Sequence, residues 1–213
     1  MRAVIVANGE INISPQSTII KGPEDVLIAA DGGANSCRLL GLVPDVVIGD
    51  FDSLDRDQLA GFEAAGTKII KFPVHKDFTD LELAVQYARD QGIKDIVIFG
   101  ALGARWDQTL ANLLLPASPG FVSTQIRIMD GSQEIQLLRA GESLILAGAP
   151  GDIVSLIPIA GNAGGITTQG LEYPLSDEPL LFGATRGISN SLLQDKASVH
   201  LKSGMLLCIL SHQ

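Results

Sequence analysis

The sequence predicts an α/β domain built on a parallel sheet, followed by a smaller all-β sandwich. Two observations carry this. In the first half, short apolar runs alternate with helix patterns, and the runs repeatedly end at aspartate. Past residue 118 the helix patterns vanish and short alternating runs take over. Strand–helix units of this length imply right-handed crossovers and parallel pairing. Closely spaced alternating runs with turn signals imply antiparallel strands. The domains are therefore expected at residues 1–118 and 119–213.

The elements follow in order. Met1 to Asn8 reads as a first strand, its apolar run too short for a signal peptide. Val26–Ala30, Val46–Ile48, Lys68–Phe72 and Ile96–Phe99 read as further strands. Between them lie candidate helices over Ala34–Leu40, Leu54–Ala65, Phe78–Asp90 and Trp106–Leu115. The first two stop at Gly41 and Gly66 and the third just before Gly92, all helix-ending signals, and the last at Pro116. Trp106, Leu110, Leu113 and Leu114 share one face of the last helix, where a tryptophan is more often core than ligand. In the second half, alternating runs start at Gln125, Glu134, Ser143, Ile153, Ser198 and Met205. Turn signals such as Asp130-Gly131, Ala140-Gly141 and Ser203-Gly204 separate them.

Composition excludes several classes. Hydrophobic residues make up 46% of the 213, enough for a real core. The net charge of −9 argues against a nucleic-acid-binding surface. It leaves a nucleotide ligand open, because a metal ion neutralises phosphates locally. No run approaches the ~20 apolar residues that span a bilayer. Cys37 and Cys208 form no motif, which points to a reduced, cytoplasmic protein. His75, His200 and His212 lack zinc-ligand spacing, and no Walker pattern or nucleophile elbow is present.

The acids carry the chemistry. If the apolar runs are strands of one parallel sheet, the aspartates after them gather at its carboxyl edge, where open α/β sheets bind ligands. So many carboxylates on one edge call for a cation, and a hard ion such as Mg²⁺ bridges carboxylates to phosphates. The glycines of Asp31-Gly32-Gly33-Ala34-Asn35 could let the backbone approach a ligand and leave helix N–H groups free for an anion, though the segment reads more simply as a tight turn and helix cap. In Gly49-Asp50-Phe51-Asp52-Ser53 the two aspartates would leave one side of an extended segment and chelate one ion. Asp52 or Ser53 could instead cap the next helix, a reading that does not cover Asp50. Asp77 and Asp80 sit in overlapping capping patterns, Asp77 to Asp80 and Thr79 to Glu82, and could also face the sheet edge. Gly100 to Asp107 forms a glycine-containing loop in which Arg105 could offer phosphate a fork, or simply pair with Asp107.

Taken in order, these segments resemble the thiamin pyrophosphokinases. The matching stretches are Ala30–Asn35, Pro44–Leu54, Phe72–Asp80 and Gly100–Asn112, with Gly170–Leu175 and Arg186–Asn190 in the second module. The resemblance implies transfer of pyrophosphate from ATP to the thiamin hydroxyl, giving thiamin diphosphate and AMP. It also implies Mg²⁺ and a homodimer with the active site at the subunit interface. Asp50, Asp52 and Asp77 fall at expected metal ligands, and Arg105 and Asp107 join them as expected catalytic residues. Asp31, Asn35 and Asp80 fall in motifs on the ATP and metal side, and Ser189 and Asn190 near the thiamin pyrimidine. Two positions depart from the family: Gln108 stands where many bacterial members carry histidine, and the second module lacks a tryptophan. The competing readings are a metal-dependent nucleotide phosphohydrolase and a non-catalytic regulator that binds thiamin or nucleotide.

Overall fold

The computed structural model describes residues 1–14, 19 and 21–213. Two compact units divide the chain, residues 1–131 and residues 132–213.

The first unit is a parallel sheet of six strands with helices between them. In chain order it contains β1 (Ala3–Val6), β2 (Val26–Ala30), α1 (Gly33–Leu39), β3 (Val46–Gly49), α2 (Arg56–Ala64), β4 (Lys68–Lys71), α3 (Asp80–Asp90), β5 (Asp95–Phe99), α4 (Trp106–Leu114) and β6 (Gln125–Asp130). Spatially the order is β6-β5-β1-β2-β3-β4, and every pairing among them is parallel. β1, β2, β3 and β5 are nearly continuous runs of Val, Ile, Leu, Ala and Phe, as strands covered on both faces must be. Alternate residues serve opposite faces. Val4, Val6, Leu27, Ala29, Val47 and Val97 pack with Ala34 and Cys37 of α1 and Phe62 of α2. α3 lies against β1, β2 and β3, turning Ala84, Val85 and Ala88 inward. β4 closes one edge with exposed Lys68 and Lys71, charges that discourage edge pairing.

The helix ends obey local chemistry. α2 starts two residues later than its apolar pattern suggests, because Asp55 and Gln58 form a capping box in place of Asp52 or Ser53. Of the two overlapping patterns before α3, the Thr79 one wins: its side chain accepts from the backbone of Glu82. Gly66 (φ 90°) and Gly92 (φ 79°) end α2 and α3 in the left-handed region.

Two expectations need correction. β6 reads as an opening strand of the all-β module, yet it pairs in parallel with β5, Ile126 beside Ile96 and Ile128 beside Ile98. Its alternation is partial, with Gln125 and Arg127 less buried than Ile126 and Ile128. The α/β unit therefore runs on to Gly131. The apolar face of α4 is not core either: Trp106, Leu110 and Leu114 are 76%, 56% and 45% exposed.

The second unit is a sandwich of antiparallel strands. It contains β7 (Gln133–Arg139), β8 (Ser143–Ala147), β9 (Ile153–Pro158), β10 (Ala163–Gln169), β11 (Glu178–Leu180), β12 (Asn190–Ser191), β13 (Lys196–His200) and β14 (Met205–Ser211). One layer runs β12-β9-β14-β7 and the other β11-β10-β13-β8. Leu138, Val154, Leu156 and Leu206 from the first layer meet Leu146, Ile166 and Val199 from the second in one core.

Candidate active site

Strand order places the site. The chain moves from β1 outward through β2, β3 and β4, then returns to the other side of β1 as β5. The loops after β1 and β5 therefore diverge at their carboxyl ends, the position at which doubly wound sheets open a ligand crevice. A cavity of about 690 Å³ lies there. Asn8 and Gly9 after β1, Asp31 after β2, Asp50 and Asp52 after β3, and the Gly100–Arg105 loop after β5 all line it.

Three carboxylates converge. Asp31, Asp50 and Asp52 each offer an oxygen within 4.8 Å of the others. Asp31 is 7% exposed, and its Oδ1 is buried with no hydrogen-bond partner. A buried orphan of this kind calls for a ligand. The all-oxygen donor set suits a hard divalent cation such as Mg²⁺.

The backbone that aims these groups is strained. Asp31 sits at φ 44° and Phe51 at φ 66°. The Asp50–Asp52 pair is thus not the extended chelate suggested by its spacing. A left-handed turn at Phe51 brings both carboxylates round, and Asp50 Oδ1 accepts from the backbone N–H of Asp52 at 3.2 Å. Gly49 permits the approach of β3 to β2 at this point, since a Cβ there would lie 2.9 Å from Asp31 Cβ. The ring of Phe51 is buried in the core below.

Charges around the group are paired. Lys76 Nζ lies 2.9 Å from Asp50 Oδ2 and 3.0 Å from Asp80 Oδ1. That hydrogen bond holds the Asp50 carboxyl below the usual range. Burial pushes the Asp80 carboxyl up, assisted by the charges of Asp31 and Asp50. Burial works against the charge on Lys76, but its bonds to Asp50 and Asp80 prevail and raise it. At the cavity rim, Arg105 Nη2 donates to Asp107 Oδ2 at 2.6 Å. The pairing raises Arg105 and lowers Asp107, with both side chains 67% exposed.

The remaining candidates divide clearly. Asp80 and Arg105 line the cavity; Asp77, Asn35 and Asp107 do not. Asp77 is exposed and is not among the three converging carboxylates, which are Asp31, Asp50 and Asp52. Asn35 is a brace: it donates to the Ser53 carbonyl and accepts from Gln58 of the α2 capping box. In the second unit, Asn190 borders a separate cavity of about 450 Å³ with Glu172, Tyr173 and Arg186. Its side chain clamps the backbone of Tyr173, accepting from the N–H at 3.0 Å and donating to the carbonyl at 2.8 Å. Ser189, at φ 60°, is exposed and does not line that cavity.

Sequence reasoning missed Lys76, Asn8 and the support of the β5 loop. Asn112 donates to the Ala101 carbonyl at 2.7 Å, and Thr109 Oγ1 bonds the backbone of Gly103. The Asn8-Gly9 step at the end of β1 was the available signal for the first loop. Lys76 carried none, since a lysine among aspartates reads as a solvated charge.

Comparison with known proteins matches this arrangement. A family model described as thiamin pyrophosphokinase, catalytic domain, matches residues 20–129. A second, thiamin pyrophosphokinase, vitamin B1 binding domain, matches residues 142–206. A thiamine pyrophosphokinase of Bacillus subtilis is 30% identical over 207 residues, covering 97% of each chain. A crystal structure of thiamine pyrophosphokinase from Bacillus subtilis superposes with a TM-score of 0.88 at 27% identity, covering 100% of both chains. One of a thiamin pyrophosphokinase family protein from Enterococcus faecalis gives 0.85 at 27% identity, again over 100% of both chains. With both family models met in order and relatives aligned end to end, the chain belongs to the thiamin pyrophosphokinase family.

Proposed function

We infer that the chain is an ATP-dependent thiamin pyrophosphokinase, transferring pyrophosphate from ATP to the thiamin hydroxyl to form thiamin diphosphate and AMP. The observation that carries the reading is the group of Asp31, Asp50 and Asp52 at the sheet's switch point, with an orphaned buried oxygen on Asp31. Asp31, Asp50 and Asp52 would hold Mg²⁺, which when bound neutralises polyphosphate charge as the bond breaks. Asp50 links this set, its carboxylate accepting from the Asp52 backbone N–H and joined to Asp80 through Lys76. Arg105, exposed on the rim, is free to turn its fork from Asp107 to the nucleotide phosphates. Gly100 seats the loop after β5 against the end of β1, since a Cβ there would lie 2.7 Å from the Ala7 carbonyl oxygen.

The cavity beside Glu172, Tyr173 and Asn190 supports a thiamin-side role for the second unit. A carboxylate and an aromatic ring there suit a cationic heterocycle. The exposed Trp106, Leu110 and Leu114 of α4 favour a homodimer, with the active site completed at the subunit interface. Free buried Cys37 and Cys208 favour a cytoplasmic protein, and among the described residues no helix is long and apolar enough to cross a membrane.

Mass spectrometry of products from purified protein, ATP, Mg²⁺ and thiamin tests the reading. Thiamin diphosphate and AMP in equal amounts are expected. AMP release that ignores thiamin would indicate hydrolysis instead, and thiamin binding with no product would indicate a regulator.

A further inference from the structure

Behind two of the cavity's carboxylates stands a cation. Lys76 Nζ lies 2.9 Å from Asp50 Oδ2 and 3.0 Å from Asp80 Oδ1, and its side chain is only 12% exposed. Lysine ammonium groups are seldom buried without a partner, and here two carboxylates hold one. Both carboxylates line the cavity while Lys76 does not, so it acts on the cavity through them. Asp50 also belongs to the three-carboxylate group, and its other oxygen already accepts from Asp52. A fixed positive charge of the chain thus shares Asp50 with the group that would hold the metal.

We propose that Lys76 is a positioning residue whose ammonium competes with a divalent cation for Asp50, so that the metal enters together with the nucleotide polyphosphate rather than ahead of it. This rests on the reading of Asp31, Asp50 and Asp52 as the cation-holding set. A divalent cation approaching Asp50 is repelled by the ammonium on the same carboxylate. Polyphosphate oxygens arriving with the cation offset that repulsion, so the penalty falls on the bare metal. Lys76 also spans two elements, the end of β3 and the start of α3, and so fixes Asp50 relative to Asp80.

The test uses the full chain and Mn²⁺ as the probe, with free Mn²⁺ read by electron paramagnetic resonance. Titrations are run with and without α,β-methylene ATP, which cannot donate pyrophosphate. Wild type is expected to bind Mn²⁺ weakly alone and more tightly with the nucleotide. Lys76→Met should tighten nucleotide-free binding on the order of tenfold and shrink the nucleotide's effect. Lys76→Arg, which keeps the charge, should stay within about twofold of wild type. A lysine with a merely structural role predicts the opposite, weaker binding in the Met variant. Equal or weaker Mn²⁺ binding by a folded Lys76→Met protein overturns the proposal, and Lys76→Gln replaces it if the Met variant does not fold. If wild type binds no Mn²⁺ even with nucleotide, the cation-holding reading falls, and the proposal with it. The two failures are distinct, because in the first wild type still binds Mn²⁺ with nucleotide.

Discussion

Asp31→Asn is the sharpest perturbation of the site. The substitution keeps the shape of the side chain and removes one charge. It also suits the backbone: Asp31 sits at φ 44°, and asparagine is among the few residues that occupy the left-handed region readily. No strain is therefore added. What changes is repulsion within a group whose oxygens lie inside 4.8 Å. At that separation two unit charges repel by about 0.9 kcal/mol at the dielectric of water and about 3.5 kcal/mol at an effective value of 20. Asp52 is exposed, and Asp50 is partly neutralised by Lys76. Both facts favour the low end, a relief of about 1 kcal/mol. For a chain of this size that raises Tm by roughly 2–4 °C.

The variant should therefore be more stable than wild type in EDTA, and lose turnover by roughly 10²–10³-fold in Mg²⁺, the usual cost of one preorganised electrostatic group. Added Mg²⁺ and nucleotide should stabilise wild type and leave the variant nearly unmoved. Scanning fluorimetry in both buffers, alongside AMP release, reads all three. A variant that is less stable in EDTA, or that keeps wild-type turnover, would refute the assignment of Asp31 to a repelling, cation-holding group.

Other expectations follow from the same geometry. Asp50→Asn should preserve the circular dichroism spectrum and lower turnover by at least the same factor, whereas Asp77→Asn should stay within several-fold of wild type; equal losses in AMP release would restore Asp77 to the site. Arg105→Lys should reduce kcat, because a point charge does not replace a planar fork, and full activity would leave Arg105 a surface pair with Asp107. In the second unit, Asp152 is 4% exposed and accepts from the backbone N–H of Ala149 and Gln213 and from His212. Burial alone would raise its carboxyl, but these bonds prevail and hold it below the usual range. Its stabilisation is therefore present above about pH 4 and lost as pH falls through the folded value. Asp152→Asn should cost about 1–3 kcal/mol in urea melts at pH 7, with the gap narrowing under acid; a pH-independent gap would contradict the sign.

Much of this was readable in the sequence because parallel sheets speak loudly. β2 and β3 are uninterrupted apolar runs, β5 is one after Asp95, and the aspartates after β2 and β3 mark where the runs end. Position along the chain thus gave position on the sheet edge. What failed had specific causes. β6 alternates over Gln125–Ile128, and alternation alone does not reveal that its partner β5 runs parallel to it. β10 carries Gly164 and Gly165 and a register shift against β11, so it has no period to detect. The α4 stripe is amphipathic, but amphipathicity does not say that the apolar face is buried within the chain, and Trp106, Leu110 and Leu114 are exposed. Asp77 and Asp80 were inseparable by spacing; only the Thr79 cap, which starts α3 at Asp80, turns one toward the cavity and leaves the other exposed.

The same cap logic explains why the site can hold its acids together at all. Asp50 and Asp52 are presented by a phenylalanine in the left-handed region, a conformation that costs on the order of 1–3 kcal/mol. Nothing about an exposed turn would hold that conformation. The Phe51 ring, 8% exposed, is packed beneath the turn with Val47 and Leu54 in the same core. Burial of such a side chain contributes about 1.5–3 kcal/mol, the same scale as the strain. The core thus secures the turn, and the turn forces two like charges toward Asp31. A glycine at position 51 would remove the strain and also the anchor, freeing the carboxylates to separate. The bulky residue between the two aspartates is therefore a structural requirement of the acidic group, and the apolar core beneath it is part of the site.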